Sequence, residues 1–146
     1  MSDELPQILD SADIPQVALA SMNETHREEV ELVNRLARLI RKGQSDAADD
    51  AEISQQMQQW LDHTLAHFER ENALMETYGF PAYPVHKGEH DRILALLGEL
   101  QETWRDHHQL EPMARFLFKT WPEWFDNHVN TMDRITAQFV CQQGGD

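Results

Sequence analysis

Ile53, Met57, Trp60, Thr64, His67, Glu71, Leu74 and Tyr78 follow one another at alternating intervals of four and three residues. That interval returns a side chain to one stripe of a helix and is what a helix lying lengthwise in a bundle requires. A strand, with its period of two, cannot produce it. The stripe runs from about Ala51 to Tyr78. Its unusual content is polar: His67 and Glu71 stand where a bundle core calls for hydrocarbon.

Three further segments carry such stripes. From about Val17 to Arg41 the apolar face is Leu19, Met22, Val30, Val33, Leu36, Ala37 and Ile40. Gly43 is expected to end this helix, and Asp49 or Asp50 to cap the next. Gly79 to Pro84 is a loop whose two prolines forbid a continuous helix. The third helix runs from about Val85 to Asp106, with His86, His90, Ile93, Leu97, Leu100 and Trp104 on its face. His107 to Gln109 reads as a loop. The fourth starts near Glu111, with Pro112 suited to its first turn. Its face is Leu117, Trp121, Trp124, His128, Met132, Ile135 and Phe139, and Pro122 is expected to kink or divide it. No segment reads as a strand. The fold class is all-α, an antiparallel up-down-up-down four-helix bundle over residues 17–141. Residues 1–16 read as an N-terminal arm, ordered only if it packs on the body, and residues 142–146 as a loose tail.

Charge narrows the partners. The chain of 146 residues has a formal net charge of −14, a field that repels nucleic acid and anionic membranes. There is no apolar run long enough to span a bilayer and no basic region followed by an apolar stretch at the N-terminus. The single cysteine, Cys141, leaves no intramolecular disulfide, so a cytoplasmic location is expected.

Histidine is the outlier, with eight residues. His63 lies four before His67, yet its phase puts it on the shoulder with Gln56, Gln59 and Arg70, solvated or behind the seam. His107 and His108 sit in a polar loop. The other five, His26, His67, His86, His90 and His128, lie on seams, at least one per helix. His26 is early in the first helix and His67 late in the second. His86 and His90 are early in the third and His128 late in the fourth. Antiparallel connectivity therefore brings all five to one end of the bundle. A single buried histidine is most simply a hydrogen-bonded core residue. Burying five without partners costs several kcal/mol each, and one shared metal centre removes that cost. Neutral imidazoles leave a divalent ion's charge uncompensated, so carboxylates are needed, and Glu71 is one. Asp133 is near His128, but a five-residue spacing places it about 140° around a regular helix. Spacing alone does not select it; a local bulge or a side chain reaching around would be needed.

These motifs resemble the hemerythrin family, whose pattern is a His on the first helix, H-x-x-x-E on the second, H-x-x-x-H on the third and H-x-x-x-x-D on the fourth. The chain supplies His26, His67 with Glu71, His86 with His90, and His128 with Asp133. Leu74-Met75 after the His-Phe-x-x-Glu motif, Tyr83-Pro84 before the third-helix pair and Trp124 one turn before His128 are similar to family signatures. The resemblance covers roughly residues 17 to 140. Two departures stand out: Asn23 occupies a position where many bacterial relatives carry Asp, and the N-terminal arm has no tryptophan.

The resemblance implies two iron ions. One would take His86, His90 and His128, the other His26 and His67, with Glu71, Asp133 and a solvent-derived oxo or hydroxo group bridging them. The two-histidine iron would have an open position for dioxygen, and Trp124 and Phe68 would exclude water from it, beyond their plain role in core packing. The expected function is reversible dioxygen binding for carriage, storage or sensing, not enzymatic, with an oxygen-using enzyme as recipient. A di-iron peroxidase or a nitric-oxide-handling protein would use the same ligands. A ferritin-like oxidase would need Glu-x-x-His motifs, and no histidine here has a Glu three residues before it. A metal-free interaction bundle would leave substitutions of His67 or Glu71 nearly silent.

Overall fold

Helix boundaries follow from local chemistry. In the computed structural model, which describes residues 8–145, Asp49 accepts the backbone N–H of Glu52 at 3.0 Å and opens the second helix. Gly79 closes that helix in the left-handed region at φ 68°, a conformation that costs glycine nothing. The elements are a 3₁₀ turn at Ser11–Asp13, then α1 (Ala20–Ser45), α2 (Asp50–Tyr78) and α3 (Tyr83–His107). A fourth rod is built from α4 (Leu110–Arg115), α5 (Trp121–His128) and α6 (Arg134–Gln142). Among the described residues there is no strand. Connections this short between rods this long force each rod back along its predecessor. Accordingly α1 packs on α2, α2 on α3, and the fourth rod on all three. No helix among the described residues is long and apolar enough to cross a membrane.

Gly43 does not end α1, which continues to Ser45. A Cβ at Gly43 would lie 2.9 Å from Leu110 Cδ1 and 3.0 Å from Ala48 Cβ. The glycine is a close-approach residue that lets the start of the fourth rod seat against α1, and its helical conformation is ordinary. α3 begins at Tyr83, because Pro84 falls in the first turn where its missing N–H has no helical partner to lose.

The fourth rod is continuous but not uniform. Two turns, Phe116–Thr120 and Val129–Asp133, are π-helical, and their flanking residues keep right-handed helical dihedrals. The first absorbs Pro122. The Trp121 N–H reaches back five residues to Phe116 O, so the missing donor and the ring are accommodated by a wider turn in place of a break. The second inserts one residue into the rod after His128: the Arg134 N–H reaches Val129 O. Beyond it the buried face advances by one residue. Asp133, Thr136, Ala137 and Val140 are buried. Ile135, expected on the seam, is 57% exposed, and Met132 is only partly buried.

The core has two parts. A large cluster holds Leu36, Ile40, Met57, Trp60, Leu97, Leu117 and Trp121. A smaller one, Leu19, Met22, Ala137 and Val140 with Leu74 and Tyr78 against it, closes the other end. Along each of α1, α2 and the fourth rod, the polar seam residues fall between members of the two clusters. Part of the N-terminal arm packs on the body. The Asn34 side chain accepts from Ile8 N–H at 2.6 Å and donates to Leu9 O at 2.8 Å. Asn23 brackets Val17 in the same way, at 2.8 and 2.9 Å, and Ile14 is buried. The rest of the arm, residues 1–7, and the last residue of the tail lie outside the described residues. Within the tail, the Gly145 N–H returns to Val140 O at 2.9 Å.

Candidate metal centre

Between the two apolar clusters His26, His67, Glu71, His86, His90, His128 and Asp133 converge, all buried. Each histidine turns Nε2 inward, and the two carboxylates lie between two sets of nitrogens. Glu71 Oε2 is 2.7 Å from His67 Nε2 and 3.8 Å from His26 Nε2. Its other oxygen, Oε1, is 3.1 Å from His90 Nε2 and 3.5 Å from His86 Nε2. Asp133 divides the same way. Oδ2 is 3.0 Å from His26 Nε2, while Oδ1 is 3.1 Å from His86 Nε2 and 3.2 Å from His128 Nε2.

The wide turn explains how Asp133 reaches the centre. A regular helix would carry it about 140° from His128; the extra residue in Val129–Asp133 lets five residues complete one turn. His128 and Asp133 thus share a face despite their spacing.

The residues fit a metal. His26 Nδ1 and Nε2, Glu71 Oε1, His90 Nε2 and both Asp133 oxygens are buried without a hydrogen-bond partner. His26 Nε2 lies 3.0 Å from Asp133 Oδ2 without a hydrogen bond's alignment. Orphaned buried polar atoms are rare and costly; all of these but His26 Nδ1 face one centre, where cations would satisfy them. Nitrogen and oxygen donors of this kind suit first-row transition ions. The polar atoms form two overlapping groups, Glu71, His86, His90, His128 and Asp133 in one, and His26, His67 and Glu71 in the other.

Three imidazoles are held from behind, as metal-binding histidines usually are. His86 Nδ1 donates to Thr136 Oγ1 at 2.8 Å, and His90 Nδ1 to Asn72 Oδ1 at 2.9 Å. His67 Nδ1 donates to Glu29 Oε1 at 3.1 Å. Each bond holds a proton on Nδ1 and turns Nε2 toward the centre. None of these partners was singled out by the seam pattern. Glu29 had a signal, an acid three residues after His26 beside the apolar Val30. Thr136 had none, because only the wide turn brings it to the face of His86. His63 lies beside the centre, not in it, with Nδ1 3.4 Å from Glu29 Oε1 and Nε2 3.7 Å from Glu28 Oε1. His108 pairs with Asp50 at 2.7 Å.

The electrostatics of the metal-free cluster follow from this crowding. Burial alone would depress His26, but Asp133 and Glu71 raise it to about 9. Burial likewise opposes His67, and Glu71 with Glu29 raises it to about 10. For His90 burial wins and the value falls. Burial pushes the Glu71 carboxyl up, yet His67 and His26 hold it well below the usual range. Burial and Glu71 push Asp133 up, and His128 and His26 hold it low. In the metal-free chain Glu71 and Asp133 are therefore ionised, and protons on His26 and His67 supply positive charge that cations would otherwise bring.

Aromatic rings wall the centre. Phe68 stacks on His90 with centroids 4.0 Å apart, Trp124 on His128 at 4.6 Å, and Phe125 meets His26 edge-on at 5.7 Å. Trp124 Nε1 donates to Glu89 Oε1 at 2.7 Å, which fixes the indole. A cavity of about 420 Å³ between α1 and α2, lined by Met22, Thr25, Arg70 and Leu74, reaches His67 and Glu71 from outside.

A four-helix bundle with two sets of inward imidazoles sharing two carboxylates defines a class of non-haem metal protein. Residues 17–140 match the family described as the hemerythrin HHE cation binding domain, and the chain belongs to that family. It is 36% identical over 99 residues to a bacteriohemerythrin of Ralstonia nicotianae, covering 68% of this chain and 71% of the relative. It is 33% identical over 125 residues to a bacteriohemerythrin of Aquifex aeolicus, covering 86% and 92%. The fold is that of a solved hemerythrin, with TM-score 0.70 at 18% identity over 90% of this chain and 95% of that one.

Proposed function

We propose that the chain holds two iron ions and binds dioxygen reversibly. The observation that carries this reading is the division of the carboxylates: Glu71 and Asp133 each present one oxygen to the His26 side of the centre and the other to the His86 side. That is the arrangement for bridging a pair of cations. His86, His90 and His128 would hold one iron and His26 with His67 the other, with a solvent-derived oxo or hydroxo group completing the bridge. These residues would hold a reduced iron pair whose electrons would serve to bind dioxygen reversibly. Three histidines against two leaves the His26–His67 side with one donor fewer, which supports an open position there.

The protein's own groups then perform three tasks. Thr136 and Asn72 orient His86 and His90. Phe68, Trp124 and Phe125 exclude water from the nitrogens they cover, which favours reversible binding over loss of electrons to solvent. The cavity that ends on His67 and Glu71 lets a small uncharged molecule in. Carriage, storage or sensing of dioxygen is the role these features support, and an oxygen-using enzyme in the cytoplasm is the recipient proposed for it. The test is an optical spectrum of the iron-loaded, reduced chain cycled between air and vacuum. Bands that appear with oxygen and vanish under vacuum support the reading; prompt irreversible oxidation, or turnover of a peroxide or nitric oxide, overturns it.

A further inference from the structure

The groups behind the inward histidines differ in charge. His86 leans on a hydroxyl and His90 on an amide carbonyl, whereas His67 leans on the carboxylate of Glu29. Glu29 is 3% exposed. Its Oε2 lies 2.9 Å from the Thr64 hydroxyl, which turns Oε1 toward His67, and His63 Nδ1 approaches Oε1 at 3.4 Å. A carboxylate this deep costs free energy unless its position is used or compensated. The other histidine on the same side, His26, has no hydrogen-bond partner on Nδ1. The His26–His67 position therefore has fewer imidazoles than its neighbour, and one anchored ring.

We infer that Glu29 is a positioning residue that makes the two metal positions unequal, so that the ion held by His26 and His67 depends on Glu29 and the ion held by His86, His90 and His128 does not. The inference rests on the two-metal reading above. Glu29 acts in two ways. It holds the His67 Nδ1–H, which keeps Nε2 aimed at the centre beside Glu71. It also adds a negative charge behind one position alone, which makes His67 a stronger donor there.

The experiment uses the full chain and zinc as a silent probe, titrated in competition with a chromophoric chelator. Wild type is expected to take two zinc ions. Glu29→Gln keeps the shape and the Thr64 contact but not the charge. It is expected to hold one zinc at wild-type affinity and to weaken the other about 10- to 100-fold. Thr64→Val leaves the carboxylate but frees it, and weakens the same ion by a smaller factor. In the zinc-loaded protein the Nδ1–H resonance of His67 moves in Glu29→Gln while those of His86 and His90 stay, a signature a merely space-filling Glu29 would not give. Two zinc ions held by Glu29→Gln at unchanged affinity, or both weakened equally, overturns the inference alone. A wild-type chain that takes no zinc and no iron overturns the two-metal reading, and the inference with it.

Discussion

Deleting Asn130 tests why Asp133 stands five residues from His128. Asn130 is exposed and its side chain only returns to Asp126 O at 3.0 Å, so little is lost with it. If the Val129–Asp133 turn is one inserted residue, its deletion leaves a regular helix. The aspartate then follows His128 at four residues, about 40° off its direction instead of about 140°. Everything downstream keeps its place: Thr136, Ala137 and Val140, each at 0% exposure, stay inward. Metal stoichiometry is expected to remain at two ions and the melting temperature to move by only a few degrees. If instead the wide turn persisted and α6 rotated, Val140 would be exposed at about 1.5–3 kcal/mol. The Thr136–His86 bond would be lost for about 1 kcal/mol more. At about 2–4 °C per kcal/mol for a chain of this size, that is a fall on the order of 10 °C, with loss of metal. Circular dichroism melts with and without metal, alongside metal analysis, distinguish the two. The large fall with lost metal would refute the account of how Asp133 reaches the centre.

Other consequences are independent of that turn. Gly43→Val is expected to lower stability by about 1–3 kcal/mol through overpacking against Leu110 and Ala48, read from denaturant midpoints at constant slope. Phe68→Ala removes a ring that is 1% exposed and stacked on His90. It should cost about 3–5 kcal/mol and speed oxidation of the reduced iron form in air. Glu89 is held at about 2 by its bond to Arg92, burial opposing and Trp124 assisting. A carboxyl lowered on folding contributes stability that is complete above its unfolded value of about 4.3 and is lost as the pH falls toward 2. Glu89→Gln should flatten stability between those limits, with Trp124 fluorescence losing its transition in the same window; an unchanged acid limb contradicts the assignment.

Much of the fold was legible because the bundle's stripes are long. The four-three interval in α2 reads through both the apolar residues and the pair His67 and Glu71, so helix, facing and height came together. What escaped is what a regular period cannot encode. The wide turn after His128 shifts the phase by one residue, so Ile135, on the regular seam, is exposed, and Thr136, off that seam, is buried. Pro122 suggested a break where a five-residue turn absorbs the ring. Gly43 carried the ordinary mark of a helix end, and its reason is instead a contact with Leu110, far along the chain. Asn72 is hidden because a residue that orients a ligand needs only one contact, and one contact leaves no periodic trace; Glu29 leaves only the faint mark of an acid beside the apolar Val30.

The most direct measurement is the anomalous scattering of a crystal of the iron-loaded chain at the iron edge. Two peaks about 3.5 Å apart, one against His86, His90 and His128 and one against His26 and His67, with Glu71 and Asp133 spanning them, are expected. A single peak, or iron outside these seven side chains, contradicts the account.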